Sequence, residues 1–392
     1  MSDRRPKIIY LTGFWQHAGK TTTSLGIISQ LRKHLDPAEI GYLKPVGQHL
    51  VSLADDVSID KDVQLLQVFS GIPELPVAHL SPVRFGQTFT RDYLDHADPE
   101  RVTAELQREI LASVERLTDK RLIIAEGSGH PGVGSVVGLS NAAVGKLLGA
   151  DTIFVSGGGI GRAIDMIDVD LTYFLYHGCN VLGLIVNKVA PGKMDQVRHY
   201  ITPQFLNARY AEAAGQELHV FGYLPAIEDL THPSMRVVLD TLTDAQPVGD
   251  PEGLAWLRPC GSVRTISLPI EFLKLSPYVS PRDLLIISAS STPRIRKLLE
   301  YHGETADQGG VGGLVLTCGE TEKIDASTHE EIVASGVPAV YVQDDSASTE
   351  ERLFGLYRST KLQTFDTGKV AAIEQLFEDH FDTDRFIDLF LS

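Results

Sequence analysis

Gly13-Phe14-Trp15-Gln16-His17-Ala18-Gly19-Lys20-Thr21 lies between an apolar run, residues 7–12 (KIIYLT), and a helical pattern over about residues 20–34. A glycine-rich turn from strand into helix aims successive backbone N–H groups and a helix N-terminus at one spot, which suits an anion. Gly13 and Gly19 let the backbone turn tightly and approach phosphate oxygens. Lys20 adds a point charge for the β- and γ-phosphates, and Thr21 a hydroxyl for magnesium. The spacing is Gly-x5-Gly-Lys-Thr, one residue longer than the common P-loop pattern. The flanking strand and helix, and the run Thr21-Thr22-Thr23, set it apart from a chance Gly-Lys-Thr. The expected ligands are ATP or ADP with Mg2+, held by Gly13, Gln16, His17, Ala18, Gly19, Lys20, Thr21 and Thr22.

Outward from this loop, apolar strand patterns alternate with helical ones. Strands are expected at residues 39–46 (EIGYLKPV), 121–125 (RLIIA), 151–155, 181–186 and 218–224, with a helix over 101–117. Short, nearly all-apolar strands separated by helices imply a parallel sheet covered on both faces, the α/β architecture of P-loop NTPases. Prolines and glycines punctuate residues 233–261 and mark a boundary. Beyond it, strands are expected at 263–268, 283–288, Gly313–Thr317 and 338–342, and helices at 292–301, Ala326–Ser335, 349–357 and 368–377. The expected organisation is a nucleotide-binding domain at 1–230, a linker at 231–261 and a smaller α/β domain at 262–392.

Strand ends carry the other candidates, because ligands bind at the carboxyl ends of strands in open α/β sheets. Lys44 is either a second cation facing the γ-phosphate or a solvated strand-end lysine. Glu126 ends RLIIA as the acidic residue of a Walker B strand does, and with Asp62 and Thr21 makes a magnesium set of the kind that cation prefers. Asp62 stands near Asp55, Asp56 and Asp60, so a solvated helix start competes. Asn187 ends another apolar strand and suits a purine edge. Ala190 stands where a guanine-reading Asn-Lys-x-Asp would have aspartate, which favours adenine. Pro225, just past the strand at 218–224, joins this nucleotide group. His17 and His130 are either general bases or structural histidines. Gly157-Gly158-Gly159-Ile160-Gly161-Arg162 is either a purely structural turn or one that lends Arg162 to an anion.

The 392 residues suit two domains, and 43% apolar with 22% charged residues suits a soluble globular protein. A net charge of −16 repels nucleic acid and anionic membrane, so neither is expected as a partner. The run at 7–12 is too short for a signal-peptide core, and no stretch approaches the ~20 apolar residues of a membrane span. Cys179, Cys260 and Cys318 lack metal-ligand spacing and suit reduced, mostly buried thiols in the cytoplasm. A homo-oligomer taking ATP or ADP and an unnamed small-molecule substrate or effector is expected.

Gly-x5-Gly-Lys-Thr resembles the loop of the dethiobiotin synthetase group, and the likeness continues to about residue 230. Tyr42-Leu43-Lys44-Pro45-Val46 is similar to the family segment that carries a lysine into the active site. Asp62 and the glutamate of Glu126-Gly127-Ser128-Gly129-His130 fall where that family binds magnesium. Asn187-Lys188-Val189 resembles its adenine-reading strand end. The N-terminal part of long bacterial phosphotransacetylases is more similar still, at residues 44–48 (KPVGQ), 126–130 (EGSGH) and 157–162 (GGGIGR). Residues 260–345 resemble the DRTGG domain of those proteins, with Pro281-Arg282-Asp283 in place of the naming motif and Gly309-Gly310-Val311-Gly312-Gly313 as a remnant glycine turn. No acyl-transfer domain follows, so acetyl phosphate synthesis is not expected.

The resemblance implies two functions. One is a nucleotide-sensing regulatory module with at most slow ATP hydrolysis. The other is ATP-dependent activation of a carboxylate or carbamate, as in dethiobiotin synthetase or cobyrinic acid a,c-diamide synthase, with Lys20 and Lys44 stabilising the transferred phosphoryl group. Gln16-His17 replaces the Thr-Glu or Thr-Gly pair usual in dethiobiotin synthetase. Gly47-Gln48 replaces its hydroxyl-bearing segment. Both changes favour the regulatory reading.

Overall fold

The computed structural model describes residues 5–52, 58–267, 275, 277–318 and 324–391, so Asp55, Asp56 and Leu268 lie outside the described residues. The chain forms two compact units: Met1–Ala226 with Val370–Ser392, and Ile227–Lys369.

The first unit is built on six parallel strands: β1 (Lys7–Gly13), β2 (Ile40–Leu43), β3 (Leu122–Glu126), β4 (Asp151–Ser156), β5 (Asn180–Val189) and β6 (His219–Pro225). Their order is β6-β5-β4-β1-β3-β2, with β1 in the interior. Successive side chains on a strand point to opposite faces. Ile8 and Tyr10 therefore join Leu43, Ile123 and Ala125 in a core that takes Ile110 from α3 (Pro99–Glu115) and Val144 from α4 (Asn141–Leu147). Ile9 and Leu11, fully buried, point the other way. Burial on both faces is what uninterrupted apolar strands require, and helices cover both faces here.

α1 (Lys20–Leu31) begins straight after the loop. α2 (Lys61–Phe69) starts on Asp60, whose side chain accepts from the Asp62 backbone N–H. α5 (Ile160–Tyr176) and α6 (Pro203–Ala214) supply Ile167, Phe174, Leu206 and Tyr210 to a second core with Phe154, Leu184 and Val186.

The C-terminal helices differ from the sequence expectation. α11 (Thr367–His380) and α12 (Thr383–Leu391) follow the second unit, yet residues 370–391 belong to the first. Gly26 of α1 has no Cβ because Phe377 is there: an added Cβ would sit 2.1 Å from its ring. Phe221 of β6 packs edge-on to Phe386, centroids 5.8 Å apart. Lys7 Nζ donates to the Leu389 carbonyl at 3.1 Å. An apolar helical stripe shows that a helix buries a face, but not which surface receives it.

The second unit begins earlier than expected. Residues 231–261, read as a linker, contain α7 (Met235–Thr241) and β7 (Gln246–Val248) of its fold. With β8 (Val263–Thr265), β9 (Leu284–Ser288), β10 (Gly313–Thr317) and β11 (Ala339–Tyr341), β7 forms a sheet of order β7-β11-β10-β9-β8. Only the β7–β11 pairing is antiparallel. α8 (Thr292–Glu304), α9 (Ala326–Ser335) and α10 (Ser346–Ser359) complete it. Asp283, buried, accepts from the Ser262 and Ser280 backbone N–H groups and pairs with Arg264. Cys179 and Cys260 are buried, whereas Cys318 is exposed.

Candidate functional site

The loop after β1 is held in a strained shape. His17 (φ 66°) and Gly19 (φ 99°) are both left-handed, a conformation rare for a non-glycine residue. Gly13 is pinned sterically, since a Cβ would stand 2.8 Å from that of Ala18. Gly19 faces Asn187, whose Nδ2 a Cβ would meet at 2.3 Å. Gln16 and His17 are exposed, Ala18 is buried, and Thr22 is half-buried in the first turn of α1. Gln16 Nε2 lies 3.4 Å from His49 Nε2. Lys20 is buried and donates to the Gly129 carbonyl at 2.7 Å.

Sheet register assembles the acidic part. Leu11 lies opposite Glu126, and Leu43 opposite Ala125, so Lys44 follows β2 beside the end of β3. Lys44 Nζ donates to Asp62 Oδ2 (2.7 Å), Glu126 Oε1 (3.0 Å) and the Gly127 carbonyl (3.2 Å). Thr21 Oγ1 stands 2.9 Å from Asp62 Oδ1 and 2.9 Å from Glu126 Oε1. Ser24 and Tyr42 donate to the other Glu126 oxygen at 2.8 and 3.1 Å. Burial works against the Lys44 charge, but Asp62 and then Glu126 outweigh it and hold the ammonium above the ordinary lysine range. Burial pushes the Glu126 carboxyl up, with Lys44 opposing. Tyr42 stays protonated because burial, then Glu126, disfavour its anion.

Thr21, Asp62 and Glu126 thus converge as a hard-oxygen set that suits magnesium, which binds one or two carboxylates and takes its other ligands from phosphate and water. Among the described residues no group of three or more His, Cys, Asp or Glu is placed to hold a metal by itself. A divalent ion placed here would need the threonine hydroxyl and its nucleotide as further ligands.

Asn187 is buried and its amide is already engaged: Nδ2 donates to the Ala18 carbonyl at 2.9 Å, and Oδ1 accepts from the Lys188 N–H. Lys188 Nζ donates to the His17 carbonyl at 2.8 Å, its ammonium disfavoured by burial. Pro225 pairs with Val189, which brings the end of β6 beside that of β5. The glycines of the turn after β4 are closely packed. A Cβ on Gly157 would meet the Trp15 ring at 2.3 Å, and one on Gly158 the Val189 Cα at 2.4 Å. Arg162 stacks on Trp15, 4.6 Å from the ring centroid. His130 is exposed and its Nδ1 accepts from the Gly132 N–H, within its own turn.

Sequence reasoning missed several supports of this site. Ser24 lies three residues beyond Thr21 on α1, and Tyr42 two before Lys44, so helix and strand periodicity place each on the same face as its neighbour. Asn141 carried no such signal. Its Oδ1 accepts from Tyr10 and the Ser128 N–H, and its Nδ2 donates to the Ser128 and His130 carbonyls, fixing the segment after Glu126. Ser128 Oγ donates to the Val46 carbonyl.

A parallel sheet with a glycine–lysine–threonine loop between its interior strand and a helix defines a P-loop nucleotide-binding domain. A family model described as an AAA domain (AAA_26) matches residues 7–234, and the chain belongs to that family. Two solved structures are similar at low levels. The CBS and DRTGG domains of the Clostridium perfringens pyrophosphatase regulatory region, complexed with the activator diadenosine tetraphosphate, share 19% identity. That match covers 36% of this chain and 59% of the other, at a TM-score of 0.26. Cell division protein FtsY of Thermotoga maritima shares 14% identity over 57% and 63%, at a TM-score of 0.31. The chain covers less than two thirds of either structure, and likenesses this low carry no functional argument. No helix among the described residues is long and apolar enough to cross a membrane.

Proposed function

We propose that the chain binds ATP with magnesium at the 13–21 loop and acts as a nucleotide-sensing module of the phosphotransacetylase N-terminal kind, with at most slow hydrolysis. One observation carries this reading: both lysines of the site are bound to the chain itself. Lys20 holds the Gly129 carbonyl, and Lys44 holds Asp62, Glu126 and the Gly127 carbonyl. A triphosphate competes for both cations. Its arrival therefore loosens the segment after Glu126 and redistributes charge behind the loop. Occupancy becomes conformational change to the extent that the nucleotide prefers the rearranged state.

In this reading Lys20 and Lys44 turn toward the γ-phosphate, and Thr21, Asp62 and Glu126 hold the magnesium. Bound there, magnesium would neutralise charge on the β- and γ-phosphates. Among the described residues Asn187 keeps one N–H and one lone pair beyond its bonds to Ala18 and Lys188, and with Pro225 it flanks the adenine. Gly13, Gln16, His17, Ala18, Gly19 and Thr22 form the rest of the phosphate and rim contacts. The sequence resemblance of residues 260–345 to a DRTGG domain, rather than any structural likeness, supports a regulatory role. Pro281-Arg282-Asp283 sits against the glycine turn, with Arg282 N–H donating to Gly310 O at 2.6 Å and Gly312 N–H to Asp283 O at 3.0 Å.

Hydrogen exchange on the full chain, with and without ATP–magnesium, tests this. Altered protection at residues 127–130 and within Ile227–Lys369, absent in Lys20→Ala, is expected. Changes confined to the first unit, together with rapid ATP turnover on a carboxylate or carbamate substrate, would replace sensing with the ligase reading.

A further inference from the structure

The second unit contains a cavity of about 180 Å³ whose lining includes Arg258, Arg282, His302, Val311, Gly312 and Pro338. Its basic groups are prepared in different ways. Arg258 is exposed and has no ion-pair partner among the described residues. Arg282 is fixed twice. Its backbone is left-handed (φ 69°), and both terminal nitrogens of its fork lie on Asp229. The Arg282 Nε–H, by contrast, has no partner among the described residues. The glycine turn closes over this arginine: a Cβ on Gly309 would stand 2.9 Å from Arg282 Cγ, and one on Gly312 2.0 Å from its carbonyl oxygen. Such backbone strain persists where surrounding structure over-determines it, and it collects at ligand clamps.

His302 is fixed as a tautomer. Its Nδ1 accepts from the Val311 N–H at 3.0 Å, so its proton is on Nε2. The N–H groups of the turn are already spent, those of Gly309, Gly310, Val311 and Gly312 on Ala306, Thr305, His302 and Asp283. Any anion must be recognised by side chains. A chain of net charge −16 needs a local positive site for an anion, and Arg258 supplies a guanidinium with no carboxylate partner among the described residues. Guanidinium with a fixed N–H matches the several oxygens of a phosphoryl group. The volume admits a compact head group rather than a whole nucleotide.

We propose that this cavity is an effector site for a compact phosphoryl anion, whose oxygens are taken by Arg258, the Nε–H of Arg282 and the Nε2–H of His302. The anion is either inorganic phosphate or the terminal phosphate of a nucleotide whose remainder stays outside. The site lies wholly within Ile227–Lys369 and shares no residue with the loop at 13–21.

The chain contains two tryptophans, and Trp256 is buried two residues before Arg258. In the full chain, Trp15→Phe leaves Trp256 as the sole indole. Titration of that chain with inorganic phosphate, and then AMP, is expected to give a saturable change in fluorescence. Calorimetry on the unsubstituted chain provides a second signal. Adding Arg258→Gln, at an exposed position, should raise the midpoint at least tenfold. Adding Lys20→Ala should leave it in place. Equal midpoints for phosphate and AMP assign the head group alone, and a tighter AMP midpoint assigns a nucleotide. The proposal is overturned by the absence of saturable binding of either probe in both measurements. It is equally overturned by a midpoint that moves with Lys20→Ala and not with Arg258→Gln.

Discussion

Replacing Lys44 with methionine keeps the length of the side chain and removes the charge between two carboxylates. Removing one partner of a buried ion pair costs about 3–5 kcal/mol, because the other charge stays behind uncompensated. Glu126 is fully buried, but it keeps hydrogen bonds from Thr21, Ser24 and Tyr42, and the Asp62 side chain is 17% exposed. These features place the loss near the lower end, about 3 kcal/mol. With a urea slope of roughly 2–3 kcal/mol/M, the midpoint of the first unit should fall by about 1–1.5 M. Trp15 fluorescence follows that unit. The loss should also depend on pH. Burial already raises the Glu126 carboxyl, and Lys44 opposes that shift, so the substitution raises it further. A group whose folded pKa is raised leaves stability intact below its unfolded value, here 4.5, and removes it as pH climbs toward the folded value. The deficit should therefore be smaller at pH 5 than at pH 8, and adding Glu126→Gln should recover much of it. A deficit under about 1 kcal/mol at pH 8, or one independent of pH, would refute the argument that Lys44 is the counterion of this site.

Lys20→Ala should weaken ATP binding by roughly 1.5–3 kcal/mol, tenfold to over a hundredfold, in titration calorimetry; unchanged affinity would remove the loop assignment. Magnesium should tighten nucleotide binding in the unsubstituted chain and do so much less in Glu126→Gln, which keeps the shape but not the charge. Identical magnesium dependence in both would make Glu126 purely structural. Diaminopelargonic acid, bicarbonate and ATP should yield negligible dethiobiotin, given Gln16-His17 and Gly47-Gln48, and robust turnover would establish the ligase reading. Gly26→Ala should lower the melting temperature of the first unit, since its Cβ would fall 2.1 Å from the Phe377 ring and overpacking costs about 1–3 kcal/mol. A gain, as helix propensity alone would give, would show that α11 does not lie on α1.

Much of the first unit was legible because its strands are short apolar runs with a distinctive loop between the first and a helix. The strand expected at 39–46 stops at Leu43, where Lys44 and Pro45 leave the ladder. Lys44, Asp62 and Glu126 were each visible singly, but their assembly depends on the β2–β3 and β1–β3 registers, which no local pattern encodes. The Tyr10–Asn141 bond spans 131 positions and was invisible for the same reason. β7 was hidden because an edge strand beginning Gln246-Pro247 has the composition of a loop. The terminal helices were readable as helices, and the surface that receives them was not.

The bond from Lys7 to the Leu389 carbonyl joins residues 382 positions apart, and Arg121 reaches the Leu391 carbonyl as well. As the chain leaves the ribosome, the strands of the first unit are therefore made long before their last covering helices. Until those helices arrive, Gly26 and Phe221 present surface that Phe377 and Phe386 later fill. Residues Ile227–Lys369 form an uninterrupted segment and need nothing made after them to close their own sheet. The later segment can therefore close its own sheet before the nucleotide-binding unit is completed, by contacts as far as 382 positions apart.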